Sequence, residues 1–500
     1  MRKLYVHNSL TRLREEFDPI VDGHVGMYVC GPTVYSDVHL GNCRTFTSFD
    51  VIFRFLQFLG YKVRYVRNIT DVGHLEGDVD VGGEDKISKK ARLEQIEPME
   101  VVQKYSNGFQ QMMETFNILP PSIEPRATGH IMEQIDMIKQ IMDNGFAYEA
   151  NGSVYFDTPK FIEVEDAYGK LSGRVVDDLL QETRSDLKRQ DEKRDASDFA
   201  LWIKADTSHL MRWESPWSTG FPGWHLECSA MSTKYLGKFF DIHGGGTDLK
   251  FPHHENEIAQ NIGACKSTPA KYWLHANMLL LNGRKMSKSD GNSVMPQQLF
   301  TGESEHLSKG YSPMVVRFFM LQAHYRSTLD LTDDALLAAE KGYQRLMEAH
   351  KTLRDLMSER SGEPTELDKE ILSLIDGAYQ DMCDDFNTAK ALGRLFELAT
   401  KINALKSGHI NLSEVSAQTL TDLKEAFHSF LHDIFGLKPM VASAEGGEEL
   451  VNGLMQLIID LRKGARESKD WGTADKIRDT LSSLAVQVKD GKEGTTWSKK

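Results

Sequence analysis

The sequence has no apolar run long enough to cross a membrane, and residues 1–8 lack the apolar core of a secretory signal peptide. We therefore expect a cytoplasmic protein with no membrane partner. The five cysteines are few, odd in number and scattered over the 500 residues. This distribution disfavours a disulfide framework and favours a metal-binding or catalytic use of one or two of them.

The sequence also lacks an excess of basic over acidic residues. The net charge is −14, which taken alone argues against nucleic-acid binding, although a local basic patch can lie on an acidic protein. Residues 451–500 differ from the rest, with ten basic and seven acidic side chains. The composition is 40% hydrophobic and 26% charged, as in globular proteins, and the length predicts about two to four domains.

Residues 26–70 predict a strand, a helix and a second strand. Residues 26–29 and 62–68 are the short apolar runs of the two strands. The helix is predicted from apolar residues that recur at intervals of three and four: Phe46, Phe49, Phe53 and Leu56. This βαβ order implies an α/β fold with a parallel sheet, which binds ligands at the carboxyl ends of its strands. Cys30 and Thr70 lie at those ends.

The sheet is predicted to be interrupted and then resumed. After Pro125, a helix and a strand over residues 152–157 belong to what we interpret as an insertion. The sheet resumes at Gly223 with a strand over residues 239–243. A helix follows from about residue 252, and residues 273–281 are a further strand candidate.

From residue 331 the periodicity becomes that of a helical bundle. Positions three and four apart predict one long helix: Leu336, Ala339, Tyr343, Leu346, His350, Leu353 and Met357. Further helices are predicted over residues 367–383, 388–406 and 417–434, followed by a linker over residues 439–447.

His39-Leu40-Gly41-Asn42 follows the first strand and opens the helix. A helix N-terminus offers free N–H groups and the positive end of the helix dipole, which suit a phosphate. Gly41 permits close approach of a nucleobase, and His39 has the chemistry to stabilise charge on phosphoryl oxygens. A surface histidine at a helix start is an equally good interpretation of these four residues alone.

Lys285-Met286-Ser287-Lys288-Ser289 follows an apolar strand and a turn. Two lysines around a small hydroxyl residue can clamp a polyphosphate, although a solvated basic loop has the same composition. A near-copy at residues 86–90 lacks the preceding strand and stands before a predicted helix, so we interpret it as unrelated to this chemistry.

Cys30, Cys228, His253 and Glu257 together offer two thiolates, an imidazole and a carboxylate, which is a set of zinc ligands. His253 and Glu257 are four residues apart on a predicted helix and share a face, whereas His254 is expected to point elsewhere. The alternative is that both cysteines are buried apolar residues, the usual fate of a free cysteine. The remaining cysteines are expected to be structural: Cys43, Cys265 and Cys383.

These motifs resemble those of the cysteinyl-tRNA synthetases, a family of class I aminoacyl-tRNA synthetases, over nearly the whole chain. The resemblance is carried by Cys30-Gly31-Pro32-Thr33-Val34-Tyr35, His39-Leu40-Gly41-Asn42, Arg67-Asn68-Ile69-Thr70-Asp71, Gly223-Trp224-His225-Leu226-Glu227-Cys228, His243-Gly244-Gly245-Gly246-Thr247-Asp248, Phe251-Pro252-His253-His254-Glu255-Asn256-Glu257, Lys285-Met286-Ser287-Lys288-Ser289, Ala323-His324-Tyr325-Arg326-Ser327, Asp384-Asp385-Phe386-Asn387-Thr388 and Gly494-Thr495-Thr496-Trp497. One departure is Asn42, which stands where the synthetase class most often has a second histidine.

The resemblance implies a Rossmann-type catalytic domain that is split by a connective insertion and followed by tRNA-binding parts. The implied segments are the first catalytic half (1–125), the insertion (126–222), the second catalytic half (223–300), a stem-contact segment (301–335), an anticodon-binding helical bundle (336–438) and a small C-terminal tRNA-binding domain (448–500).

The resemblance also implies a reaction. ATP and L-cysteine give cysteinyl-adenylate and pyrophosphate, and the cysteinyl group then moves to the terminal adenosine of tRNA(Cys). In the family one zinc ion, held by the residues that match Cys30, Cys228, His253 and Glu257, binds the substrate thiol. Mg²⁺ is expected with the ATP, and a monomer is expected.

Further site residues follow from the same resemblance. The catalytic residues are expected to be His39, Asn42, Lys285 and Lys288. The ATP contacts are expected to be His39, Gly41, Asn42, Gly244, Gly245 and Lys288. Thr70 would contact the amino acid, Trp224 would line its pocket near the metal unless it is a core residue, and Asp248 would hold an ammonium or a ribose hydroxyl.

No editing domain is expected. A pocket built only on shape separates small groups such as a thiol and a hydroxyl by roughly 10–200-fold. Zinc binds a thiolate and is a poor partner for a hydroxyl, so it supplies the discrimination that shape does not.

Two other functions stay open at the level of sequence. A related cysteine ligase that transfers activated cysteine to an amino sugar would share these motifs but lack the tRNA-binding part, whereas a long helical part follows Leu331 here. A non-catalytic RNA-binding or zinc-storing relative would have no need of His39, Lys285 and Lys288, which are all present.

Overall fold

The computed structural model describes residues 2–72, 86–165, 167–173, 192–206, 209–286, 292–439, 444–484, 486–491 and 494–499. The chain divides into two compact units, Met1–Lys438 and Pro439–Lys500. None of the helices in the described ranges is long and apolar enough to cross a membrane. The finer division into two catalytic halves, an insertion, a stem-contact segment and a bundle stays a prediction.

Strands and helices alternate up to residue 265. The strands are β1 (Tyr5–Asn8), β2 (Leu13–Glu16), β3 (His24–Val29), β4 (Lys62–Arg67), β5 (Ala147–Ala150), β6 (Ser153–Phe156), β7 (Phe199–Lys204), β8 (Gly220–Pro222) and β9 (Phe240–Gly246). The helices are α1 (Leu40–Phe58), α2 (Lys86–Glu94), α3 (Pro98–Thr115), α4 (Ile131–Asp143), α5 (Thr158–Glu165), α6 (Trp224–Leu236) and α7 (His253–Cys265).

The remainder of the chain is mainly helical. Its strands are β10 (Ala270–Ala276), β11 (Leu279–Leu281), β12 (Arg284–Lys285), β13 (Leu329–Leu331), β14 (Val486–Gly491) and β15 (Gly494–Lys499). Its helices are α8 (Pro296–Thr301), α9 (Pro313–Leu321), α10 (Asp333–Asp355), α11 (Glu366–Cys383), α12 (Thr388–Ser407), α13 (Ala417–His428), α14 (Ala444–Glu467) and α15 (Trp471–Ser483). A π-helical segment, Ser429–Ile434, continues α13.

The central sheet has the strand order β10-β9-β3-β4, and every neighbouring pair is parallel. Val29 at the end of β3 is in register with Arg67 of β4 and Gly244 of β9. The predicted parallel α/β sheet is therefore confirmed. The carboxyl ends of β3, β4 and β9 meet at one edge, which is where this class of sheet binds ligands.

Helix α1 crosses between β3 and β4. Its predicted apolar residues Phe46, Phe49, Phe53 and Leu56 are all buried. His39 caps the helix, because its ring accepts a hydrogen bond from the backbone N–H of Asn42 at 3.4 Å. The chain leaves the helix through Gly60, whose φ of +91° is a conformation that glycine adopts at little cost.

Alternate residues of β3 face two different apolar clusters, as expected for a strand covered on both sides. Val25, Met27 and Val29 pack into the cluster that includes α1 and the C-terminal helices. Tyr28 packs into the cluster that includes the second sheet. That second sheet has the order β5-β6-β7-β8, is antiparallel throughout and lies within the predicted insertion.

Two sequence predictions of strand and helix extent are wrong. Residues 273–281 are two strands in different sheets, since β10 pairs with β9 and β11 pairs with β12 and β13. The chain turns between them, where the N–H of Asn277 donates to the carbonyl of Tyr325. The long helix ends at Asp355, and Met357 beyond it is 80% exposed.

The predicted linker is also too long. Helix α14 already begins at Ala444, so the helical backbone includes residues that composition assigned to the linker. Glycines at 446 and 447 favour a linker by composition, but the helix of the amphipathic stretch that follows them extends through both glycines to Ala444. Residues 440–443 lie outside the described part of the chain.

A buried ion pair ties α1 to the C-terminal helices of the first unit. Asp50 accepts hydrogen bonds from Arg317 and from Arg54, the latter at 2.8 Å, and all three side chains are buried. Arg317 also donates to the carbonyl of Phe435 at 2.7 Å, next to the end of the π-helical segment. The guanidinium therefore joins α1 to the backbone that follows the π-helical segment.

We expect Asp50→Ala to destabilise the first unit, because it leaves two buried arginines without their carboxylate. Removing one member of a buried pair costs about 3–5 kcal/mol. The matched control is Lys139→Ala, which removes an exposed pair with Asp136 and costs less than about 1 kcal/mol. Thermal unfolding measures both, and equal shifts in the midpoint would contradict the assigned role of Asp50.

Candidate metal centre and active site

Four candidate metal ligands converge at the carboxyl edge of the parallel sheet. Cys30 is the first residue after β3, Cys228 lies in the second turn of α6, and His253 and Glu257 are one turn apart at the start of α7. All four side chains are buried, and their ligand atoms lie within 4.8 Å of one another. The structure therefore brings together a ligand set that the sequence scatters over more than two hundred residues.

The distances between these ligand atoms suit a tetrahedral metal. Zinc bonds of about 2.0–2.3 Å place neighbouring ligand atoms about 3.3–3.8 Å apart. The Sγ of Cys30 lies 3.6 Å from the Sγ of Cys228 and 3.6 Å from Oε1 of Glu257. Nε2 of His253 lies 3.2 Å from the same carboxylate oxygen. The donor set and its spacing therefore fit a bound divalent cation.

His254 does not point away, and this prediction from the sequence is wrong. Its Nε2 lies 3.3 Å from the Sγ of Cys30, and it belongs to a second buried group of possible ligands with Cys30, His243 and Glu257. Gly245 of β9 makes room for this ring, since a Cβ there would lie 2.9 Å from Cε1 of His254. The ring enters the site between helix and strand, which helical periodicity alone does not reveal.

Neighbouring histidines orient the candidate ligands. Nε2 of His243 lies 2.8 Å from Oε2 of Glu257, and Nδ1 of His225 lies 2.9 Å from Nδ1 of His253. Metal ligands are commonly held in this way by a hydrogen bond to the atom that does not face the metal. Sequence reasoning missed both residues, although each stands in a motif that supplied a ligand or a glycine.

The electrostatics of the site favour one thiolate over two. Burial and the neighbouring Cys228 and Glu257 raise the pKa of Cys30 well above its ordinary value. Burial opposes ionisation of Cys228 too, but the hydrogen bond from Cys30 and the charge of His253 lower its pKa to about 6. A divalent cation supplies the positive charge that would hold both sulfurs as thiolates.

The imidazole and carboxylate of the site are an ion pair in the absence of metal. Burial disfavours charge on His253, yet Cys228 and Glu257 raise its pKa to about 10. Burial likewise disfavours the carboxylate, yet His243 and His253 lower the pKa of Glu257 to about 2. Metal binding must displace the proton of His253, so acid competes with metal at this site.

Glu227 is a further buried acid that the sequence did not single out. It precedes Cys228 in α6 and is fully buried. Burial and the charge of Cys228 raise the pKa of Glu227 well above its ordinary value.

Trp224 lies beside His253, Thr70 lies against the loop that follows Cys30, and their contacts with the amino acid stay predictions. The ring of Trp224 is only partly buried, and its centroid lies 4.4 Å from that of His253. Thr70 is buried, and its backbone bonds to Pro32 and Val34 on both sides of the loop that follows Cys30. Thr70 therefore holds the segment that leads from the metal site to α1.

The residues predicted to bind phosphate occupy the start of α1. His39 is exposed and Asn42 is partly buried. A Cβ on Gly41 would lie 3.0 Å from Cε1 of His39, so a side chain there would press on the ring. The exposed ring of His39 lies at the N-terminus of α1, an arrangement that suits an anion.

Four other predicted site residues lie in different settings. The space beside Gly244 is filled by the ring of Phe49, so its small size is needed for packing. Asp248 is exposed in a 3-10 turn directly after β9. Lys285 is exposed at the end of β12, and Lys288 lies outside the described residues.

The near-copy of the lysine motif at residues 86–90 lies in a different setting. It does not precede a helix, as the sequence suggested, but forms the first part of α2, with Ile87 and Ser88 buried. Its serine and isoleucine thus contribute to packing.

Comparison with protein families matches two parts of the chain. Residues 16–341 match the class I (C) tRNA synthetase catalytic domain, and residues 378–438 match the DALR domain. A cysteine–tRNA ligase of Bacteroides thetaiotaomicron is 52% identical, with 99% of each chain covered. Another, of Deinococcus radiodurans, is 47% identical, with 99% of this chain and 96% of its own length covered.

Solved structures with the same fold are more distant in sequence. The methionyl-tRNA synthetase of Mycobacterium tuberculosis in complex with methionyl-adenylate gives a TM-score of 0.56 at 14% identity, covering 82% of this chain and 89% of its own. The ternary complex of Agrobacterium radiobacter K84 agnB2 LeuRS, tRNA and LeuAMS gives a TM-score of 0.56 at 11% identity, covering 84% and 85%. At these identities the likeness concerns the fold.

We expect Cys228→Ala to lose the bound metal, because it removes one of two thiolates from a tetrahedral set. Metal analysis of the purified protein measures this against the unsubstituted chain. Cys265→Ala is the matched control, since Cys265 is only half-buried and belongs to neither group of candidate ligands. Retention of one equivalent of metal by Cys228→Ala would show that Cys228 is no ligand.

Proposed function

The chain belongs to the cysteine–tRNA ligases, a family of class I aminoacyl-tRNA synthetases, and from this membership we propose how its residues charge tRNA(Cys) with L-cysteine. The observation that carries the function is the identity of about half of all residues with curated cysteine–tRNA ligases over 99% of this chain. The carboxylate of cysteine attacks the α-phosphate of ATP, and pyrophosphate leaves. A ribose hydroxyl of the terminal adenosine of tRNA then attacks the carbonyl of the adenylate, and AMP leaves.

Cys30, Cys228, His253 and Glu257 hold one zinc ion in this proposal. The metal supplies a Lewis-acid site for the substrate thiol, which binds as thiolate where a serine hydroxyl binds poorly. Trp224, beside His253 and partly buried, forms one wall of the pocket for the short side chain of cysteine.

The phosphates of ATP bind at the start of α1. His39, the N–H group of Gly41 and Asn42 stabilise the charge that develops on the α-phosphate. Lys285 and Lys288 contact the phosphates from the other side, and Mg²⁺ accompanies the nucleotide. The role of Lys288 is supported by its place in the Lys-Met-Ser-Lys-Ser sequence.

The loop that follows Cys30 sets the two substrates side by side. Two backbone hydrogen bonds join this loop to Thr70. The N–H of Thr70 donates to the carbonyl of Pro32 at 3.0 Å, and the N–H of Val34 donates to the carbonyl of Thr70 at 3.1 Å. Thr70 orients the amino acid, and Asp248 holds its ammonium group or the ribose. The spaces beside Gly244 and Gly245 are taken by Phe49 and His254, so their small size serves packing and not approach of the nucleotide. Holding both reactants in place is a large part of the catalysis in such a transfer.

The tRNA binds beyond the catalytic domain. The proposed contacts are a stem-contact segment (301–335), a helical bundle (336–438) and the small C-terminal domain (448–500). The match of residues 378–438 to the DALR domain supports this assignment for the bundle. We further propose that the enzyme acts as a monomer in the cytoplasm, where its tRNA is used.

A cysteine ligase with an amino-sugar acceptor is not favoured. The curated relatives match this chain from end to end, including the helical part after Leu331, and are cysteine–tRNA ligases. A non-catalytic relative is disfavoured because all four candidate metal ligands and His39 are present.

We expect the purified protein to catalyse cysteine-dependent exchange of pyrophosphate into ATP and to charge a tRNA(Cys) transcript. A tRNA(Ser) transcript is the control acceptor. Serine is expected to support exchange at a rate lower by more than the roughly 10–200-fold that shape alone provides. Exchange without charging of tRNA(Cys) would favour another acceptor, and no exchange would contradict the enzyme activity.

We expect His39→Ala to lower the rate of pyrophosphate exchange by about 10²–10³-fold, the usual effect of removing one group that stabilises a developing oxyanion. The metal content should not change, because His39 lies outside the ligand set. The control is His24→Ala, an exposed histidine at the opposite end of β3. A loss of metal in His39→Ala, or equal rates for the two variants, would contradict the assignment to phosphate.

A further inference from the structure

Three histidines lie together in the helical part of the first unit, on elements that take no part in the site described above. His350 belongs to α10, His428 is the last residue of α13, and His432 lies in the π-helical segment that continues α13. Their ring centroids are 4.9, 4.7 and 5.7 Å apart, and one ring nitrogen from each lies within 4.8 Å of the others. We call these three residues the tri-histidine cluster.

The backbone explains why two of the rings share a face. His428 and His432 are four residues apart on continuous helical backbone, a spacing that puts both side chains on one side of the helix. The π-helical turn between them is a rare conformation that is found often at functional sites. His350 reaches the same place from the neighbouring helix α10.

Hydrogen bonding fixes which nitrogen of His432 is free to bind. Nδ1 of His432 lies 2.7 Å from the carbonyl oxygen of Leu437, which can only accept, so Nδ1 carries the proton. In the neutral ring Nε2 therefore presents a lone pair. A backbone carbonyl that fixes the tautomer of a histidine in this way is typical of metal ligands.

The free nitrogen faces a second imidazole at a ligand-to-ligand distance. Nε2 of His432 lies 3.4 Å from Nδ1 of His350. Metal–nitrogen bonds of about 2.0–2.1 Å in a tetrahedral set place two nitrogens about 3.3–3.4 Å apart. His428 is exposed, so its ring can turn to close the remaining distance. A hydrogen bond between His350 and His432 would account for two rings, but not for the third.

We propose that the tri-histidine cluster is a second metal site, which binds a first-row divalent cation such as Zn²⁺ with solvent in the remaining position. Imidazole nitrogen is a good ligand for zinc, copper and nickel and a poor one for magnesium or calcium. The site is open on the side of His428, because that side chain is exposed, and it lies apart from the buried cluster around Cys30.

The bound cation joins α10 to residues 432–436, a segment that is hydrogen-bonded to the part of the unit that matches the catalytic domain. His432 lies just before two carbonyls that accept hydrogen bonds from that part. Phe435 accepts from Arg317 at 2.7 Å, and Gly436 accepts from Asn117 at 2.7 Å. Occupancy of the cluster therefore stabilises the backbone through which the helical part contacts the catalytic half.

The test is zinc binding by the full chain, measured by equilibrium dialysis of the purified protein against a series of Zn²⁺ concentrations. The cluster is expected to fill at a Zn²⁺ concentration about tenfold or more lower in the unsubstituted protein than in His428→Ala, so over that range the unsubstituted protein binds one equivalent more. His428 is exposed, so this variant keeps the fold, which circular dichroism verifies. Comparing the two proteins directly makes the result independent of how much metal the Cys30 site holds.

The matched control is His409→Ala, another exposed histidine of the helical part that belongs to no cluster of described ligands. It should bind as much zinc as the unsubstituted chain. Equal zinc binding by the unsubstituted chain and His428→Ala would overturn the proposal. An equal reduction in His409→Ala and His428→Ala would also overturn it, because it would indicate unspecific binding to surface histidines.

Amide hydrogen exchange is a second measurement, which locates the effect of zinc in the chain, whereas a count of bound ions does not. Zn²⁺ is expected to slow amide exchange in residues 429–437 of the unsubstituted chain and of His409→Ala, but not of His428→Ala. Slowing of the same size in all three proteins would place the effect of zinc at another site and contradict the proposal.

Discussion

The parallel register of β3 with β4 and β9 is the constraint on which the rest of the site depends. The N–H of Cys30 donates to the carbonyl of Gly244 at 3.1 Å, which continues the ladder one residue beyond the strand. This bond fixes the cysteine at the edge where the carboxyl ends of three strands meet. The loop after Cys30 is then held by Thr70, from the end of β4, and leads directly to His39 and the start of α1. One sheet edge therefore carries both the candidate metal ligands and the residues proposed to bind phosphate.

The buried polar groups around Cys30 would be costly without a partner of opposite charge. Two thiols, a carboxylate and several imidazoles are all shielded from water, and their pKa values are displaced in opposite directions. Such a cluster is stable when every member is hydrogen-bonded or binds a cation. The requirement agrees with a zinc site, and it explains why glycines of β9 lie against the cluster: a Cβ at Gly245 would displace His254.

The helical part is joined to this centre through buried arginine rather than through apolar packing alone. Arg317 contacts Asp50 of α1 and the carbonyl of Phe435, so a helix that begins at the phosphate-binding turn is held by the end of the bundle. The tri-histidine cluster acts on the same segment, from His428 to Leu437. The two features give the first unit a polar connection between the part that activates the amino acid and the part proposed to bind tRNA.

The sequence by itself determined the relations that depend on local backbone geometry. The helix face of Phe46, Phe49, Phe53 and Leu56, the βαβ order and the shared face of His253 and Glu257 all follow from periods of 3.6 and 2 residues. It also determined the chemistry of the ligands, because thiol, imidazole and carboxylate are properties of the residues. The bounds of strands and helices that depend on packing against other elements were predicted less well. β10 and β11 are separate because they pair with different strands, and α14 begins before the amphipathic stretch.

Only the tertiary structure decided which distant groups meet. Cys30 and Cys228 are 198 residues apart, and no local rule joins them. His254 reaches Cys30 because Gly245 leaves space, although its position on the helix predicts the opposite. His350 meets His428 and His432 because α10 packs against α13. In each case the deciding term is packing between separate elements, and helical or strand periodicity along one segment contains no information about it.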